Sequence, residues 1–93
     1  MDYIFLSPGC ISCDTIMAFL EKHRSNWTSC LKIVHVEFDE EGLVLKTTID
    51  GEDAGESPVS RVPALYRECK KDLIIGFDDV FKELNDANWY AQL

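Results

Sequence analysis

Hydrophobic and polar positions change period several times along the chain, and each change marks an element. Tyr3-Ile4-Phe5-Leu6 is apolar at every position, which predicts a strand inside a sheet with helices on each side. Ser7-Pro8-Gly9 breaks the run and predicts a loop. From Cys10 the period turns helical. Cys13, Ile16, Met17 and Leu20 fall at i, i+3, i+4 and i+7, while Asp14, Thr15, Glu21 and Lys22 take other faces. This amphipathic helix is predicted to end near His23-Arg24, whose basic side chains suit the negative end of the helix dipole.

Leu31 to Phe38 (LKIVHVEF) predicts a second strand, parallel to the first because the helix between them is a crossover of sufficient length. Leu43 to Ile49 (LVLKTTI) reads two ways: Leu43-Val44-Leu45 can open a short helix, whereas Thr47-Thr48-Ile49 prefer a strand. Asp50 to Ser60 is turn chemistry and predicts a surface loop. After Val62-Pro63, Ala64 to Cys69 predicts a third strand and Leu73-Ile74-Ile75 a fourth, joined by Lys70-Lys71-Asp72 as an antiparallel hairpin. Asp78 is the expected N-cap of a last helix that buries Val80, Phe81 and Leu84. Asn85 to Leu93 either extends that helix or folds back on the core. The expected architecture is α/β: a four-stranded mixed sheet flanked by helices.

Composition narrows the partners more than the fold. The 93 residues suit one domain, 1–93, and 46% apolar with 11% aromatic residues is globular usage. Nine Lys and Arg against 17 Asp and Glu leave a net charge of −8, which disfavours both nucleic acid and anionic lipid. No apolar run approaches the roughly 18–20 residues of a membrane span. The opening MDYIFLSPGC lacks signal-peptide features, so a cytoplasmic location is expected.

Cysteines carry the candidate chemistry. Cys10 and Cys13 form a C-x-x-C between a predicted strand and a predicted helix; Cys30 and Cys69 stand alone. A helix start presents unpaired backbone N–H groups and the positive end of the dipole, and both stabilise a thiolate. Cys10 is therefore the expected nucleophile. Cys13, one turn on and deeper, is expected to resolve the mixed disulfide, with Asp14 beside it opposing a thiolate. A zinc site is the competing reading, but zinc ribbons repeat the pair, and neither His23 nor His35 has the spacing to complete one. No metal is expected.

With these residues in place, the chain resembles the thioredoxin superfamily, and within it the compact dithiol glutaredoxins. The resemblance rests on three landmarks in order: Ser7-Pro8-Gly9-Cys10-Ile11-Ser12-Cys13 before a helix, Val62-Pro63 before a strand, and Gly76-Phe77-Asp78-Asp79 before the last helix. It implies a thioredoxin-like fold, a cis peptide at Pro63 and a structural turn at Gly76. It also implies substrate binding at Arg61, Val62, Pro63 and Asp79. Glutathione would be held by Arg61 through its carboxylates, by the Val62 backbone, and by Asp79 through the γ-glutamyl amine.

The implied activity is reduction of protein disulfides or glutathione mixed disulfides, with no bound cofactor and glutathione as electron donor. Ser7 stands where such proteins frequently carry Lys, and Gly76-Phe77 is similar to the late turn of the redoxins that serve ribonucleotide reductase. Thioredoxin reductase, a flavin enzyme, is thus the alternative donor, and ribonucleotide reductase a candidate substrate. A monomer in the cytoplasm is expected, the host cytoplasm for a viral or phage protein. The alternative function is a thioredoxin-fold protein-binding module whose cysteines are incidental.

Overall fold

The computed structural model describes residues 2–23, 31–55, 59, 61–68 and 70–85. Arg24, Trp27, Cys30, Cys69, Trp89 and Tyr90 lie outside the described residues; the first helix ends at Lys22 with His23 as its C-cap, as expected, and the last ends at Leu84 with Asn85 as its C-cap. Chain order is β1 (Asp2–Leu6), α1 (Ile11–Lys22), β2 (Leu31–Phe38), β3 (Val44–Ile49), β4 (Glu52–Asp53), β5 (Ala64–Arg67), β6 (Asp72–Ile75) and α2 (Phe77–Leu84).

The strands form one mixed sheet in the order β4-β3-β2-β1-β5-β6, so the sheet has six strands and not the expected four. β1 and β2 are parallel, with Ile4 opposite Ile33 and Leu6 opposite His35. Every other pairing is antiparallel. The two extra strands come from the ambiguous LVLKTTI segment and the loop after it. Asp39 shapes the turn out of β2 by accepting from the backbone N–H groups of Glu41 and Leu43, both at 2.9 Å. Gly42, at φ 85°, supplies the left-handed step of that turn. β3 then returns along the free edge of β2, with Thr47 opposite Val36 and Ile49 opposite Val34. The β-branched residues at 47 to 49 prevail over the helix-forming leucines at 43 and 45 because an open edge was there to pair with.

Both described helices cover the same face of the sheet. On that face Ile4, Leu6, Leu31 and Leu65 pack with Cys13, Ile16 and Leu20 of α1 and with Val80 and Leu84 of α2. Phe19 of α1 meets Phe81 of α2 at a centroid distance of 5.1 Å, within the range of tilted aromatic pairs. The opposite face buries Phe5, Val34, Val36 and Ala64 beneath Val59. β1 is apolar at successive positions because each face has its own buried cluster.

Two boundaries also differ from expectation. β5 ends at Arg67, which pairs with Asp72, so the hairpin link is 68–71 and Asp72 belongs to β6. The N-cap of α2 is Gly76, not Asp78; Asp78 and Asp79 lie in the first turn, where acids still complement the dipole. Among the described residues no helix is long and apolar enough to cross a membrane.

Candidate functional site

The site begins where β1 runs out. Its last residue, Leu6, is buried, and Gly9 at φ 80° turns the chain toward α1. Cys10 is the N-cap: its backbone is extended (φ −88°, ψ 121°), and its carbonyl accepts the first helical hydrogen bond from Asp14 N–H at 2.8 Å. The Cys10 Sγ accepts from the backbone N–H of Cys13 at 3.4 Å. A sulfur thus fills the capping role usually taken by a Ser, Thr or Asp oxygen, and a peptide dipole points at the atom expected to carry charge.

The two sulfurs live in different surroundings. Cys10 is half-buried, whereas Cys13 is 2% exposed, its side chain packed among Ile4, Ile16 and Leu65. Burial pushes the Cys13 thiol from 9.0 up to about 12; a backbone hydrogen bond at Ser7 opposes the rise, while the Cys10 sulfur and the Asp14 charge add to it. Cys13 therefore holds its proton at neutral pH. Ile11 stands between the cysteines at 84% exposure, an apolar side chain offered to solvent beside Cys10.

The second expected landmark joins the first. The Val62-Pro63 peptide is cis. Pro63 is buried, and its carbonyl accepts from Gly76 N–H at 3.0 Å, which ties the proline loop to the turn that opens α2. Gly76 has φ 105°, a conformation that a side chain would strain. Cys10, Val62 and Phe77 all pack against the helix-side core cluster, so one core underlies the three sequence landmarks. Arg61 is exposed just before this loop, and Asp79 is exposed in the first turn of α2. Among the described residues, no group of three or more His, Cys, Asp and Glu converges as a metal cage.

One residue of the site was not expected. A cavity of about 200 Å³ is lined by Ser7, Pro8, Cys13, Asp14, Met17 and His35. The sequence considered His35 only as a zinc ligand. Its place follows from strand geometry: alternation puts Leu31, Ile33 and His35 on one face of β2, and the parallel register sets His35 beside Leu6, one residue before Ser7. Compared with known proteins, the chain matches no family model, no curated protein and no solved structure.

Proposed function

We propose that the chain is a dithiol–disulfide oxidoreductase of glutaredoxin or thioredoxin type, reducing protein disulfides or glutathione mixed disulfides. One observation carries the reading: a half-buried Cys10 sulfur accepts a backbone N–H at a helix start, and the buried, protonated Cys13 lies one turn behind it. The cis Val62-Pro63 peptide and the inner strands β2-β1-β5-β6 support a thioredoxin-like fold, with β3 and β4 as an added edge.

In the proposed reaction the Cys10 thiolate attacks one sulfur of the substrate disulfide. A Cys10–substrate bond forms, the substrate S–S bond breaks, and the first substrate thiolate leaves with the electron pair. Cys13 then gives up its proton and attacks the Cys10 sulfur. The Cys10–Cys13 disulfide forms, and the second substrate thiolate leaves and takes up a proton. The substrate is reduced and the protein dithiol oxidised. Two molecules of glutathione, or a flavin reductase using NADPH, return the dithiol.

Val62, beside the cis bond, would pair its backbone with extended substrate, and Arg61 and Asp79 would hold the two ends of glutathione. A reducing cytoplasm suits this cycle.

The test is trapping. Cys13→Ser mixed with an oxidised protein substrate should accumulate a covalent adduct that dithiothreitol releases, while Cys10→Ser gives none and reduces nothing. A Cys13→Ser protein that forms no adduct would leave the protein-binding reading. Assays with glutathione and its reductase, beside NADPH and thioredoxin reductase, then identify the donor.

A further inference from the structure

We propose that His35 accepts the Cys13 proton, through water in the cavity that both residues line, when Cys13 resolves the mixed disulfide; this rests on the redox reading above. The resolving step requires a thiolate at a sulfur that is 2% exposed. Its proton needs both a route and an acceptor. The cavity supplies the route, since about 200 Å³ holds several waters at roughly 30 Å³ each.

Two side chains lining that cavity can take a proton from Cys13, Asp14 and His35. A carboxylate is the weaker base, and the Asp14 charge favours the protonated form of Cys13. Neutral imidazole is the side-chain base suited to pH near 7. His35 lines the cavity and is itself exposed, so the proton it receives passes on to solvent. The step balances. The Cys13 proton moves through water to the His35 ring, the Cys13 sulfur bonds to Cys10, and the Cys10–substrate bond breaks. The departing thiolate is protonated from solvent as His35 returns to its neutral form.

Other groups on this face bear on any pH profile. Asp14 of α1 lines the cavity, Glu37 is the next residue on the same face of β2, and Lys46 of β3 is opposite Glu37. The direct neighbours of His35 across the sheet, Leu6 and Thr48, carry no charge.

An uncharged dipyridyl disulfide mixed one to one with reduced protein releases one chromogenic thiol at each step, so the two rates separate. Cys13→Ser should show the first release alone. His35→Gln should keep the first rate and slow the second about 100-fold at pH 7, the lower end of what a positioned base supplies. Added imidazole should restore much of the second rate, which a purely structural role would not allow. The deficit should shrink as pH rises toward the Cys13 value. Asp14→Asn should speed the second release. An unchanged second rate in His35→Gln, or a loss that imidazole does not rescue, overturns the proposal; so does a loss in Asp14→Asn alone. Absence of the first release from the unmodified protein would instead sink the redox reading itself.

Discussion

Two antiparallel wings extend from the parallel pair β1–β2, and they are built to different standards. The β5–β6 wing is locked in three ways. Ala64 and Leu65 are fully buried, Pro63 is hydrogen-bonded to Gly76, and α2 closes over it. The β3–β4 wing lies at the far edge, and Leu43, Val44 and Leu45 remain exposed along it. Every landmark of the candidate chemistry lies on the locked wing or at the end of β1 and β2; none lies on the open one. Thiol exchange needs sulfurs and an incoming backbone held in fixed relation, and only a wing held from both the sheet and the helix layer provides that. The open wing adds hydrogen-bonded edge without adding to the site.

The sharpest way to break this contrast is Arg67, the clamp of the locked wing. Arg67 is 4% exposed, and its guanidinium reaches Asp2 at the start of β1 at 3.3 Å and Glu83 of α2, so one side chain ties a strand end to a helix. Asp2 is further held by Glu68 N–H at 3.0 Å. Removing the cation leaves two partly buried carboxylates without their counter-charge, which costs about 3 kcal/mol. Arg67→Ala should lower the Tm by roughly 10–20 °C in a domain of this size. A loss under about 1 kcal/mol in thermal unfolding would show that the clamp is decorative.

A smaller effect comes from Cys13 and is confined to alkaline pH. The unfolded thiol ionises near 9.0 and the folded one near 12, so between those values the unfolded state binds fewer protons. The stability associated with keeping Cys13 protonated is complete below pH 9 and is lost as pH rises toward 12. The slope is at most about 1.4 kcal/mol per pH unit. Reduced protein should therefore lose denaturant stability between pH 9 and 10.5 faster than Cys13→Ala does. Parallel slopes for the two proteins would mean that the Cys13 sulfur is open to solvent.

The same two wings mark what the sequence could and could not tell. The run Tyr3 to Leu6, the C-x-x-C, the helical spacing from Cys13 to Leu20 and the Ala64-to-Ile75 hairpin are local signals. Each corresponds to an element at close to its expected bounds, because propensity and burial point the same way there. Residues 43 to 49 read two ways, and Glu52-Asp53 reads as surface loop where the structure has a strand, because both depend on a non-local fact, the free edge that β2 and then β3 offer. The N-cap at Gly76 is illegible because the helix starts at a positive-φ glycine with no side-chain capping bond, whereas the sequence signal for a start is a capping Asp. His35 is illegible in the sequence for a related reason: it comes to line a cavity with Cys13 only after β2 is set in register beside β1. Both described helices lie on one face and Val59 helps cover the other; the apolar run in β1 tells that both faces are covered but not by what.

The smallest effect tests the open wing itself. Leu45 is 69% exposed on β3, and the strand outside it is two acidic residues, Glu52 and Asp53. A short, charged outermost strand discourages edge-to-edge pairing, which is how a wing can keep exposed leucines without aggregating. Leu45→Glu removes little buried area, so its effect on stability should stay within about 0.5 kcal/mol. It should also leave both steps of thiol exchange at their original rates. A loss above about 1 kcal/mol would show that Leu45 is covered by something in solution, and a change in the exchange rates would show that the open wing reaches the site. Either result would end the division of labour between the wings, because an edge that matters to core or chemistry cannot be an addition to a fold that works without it.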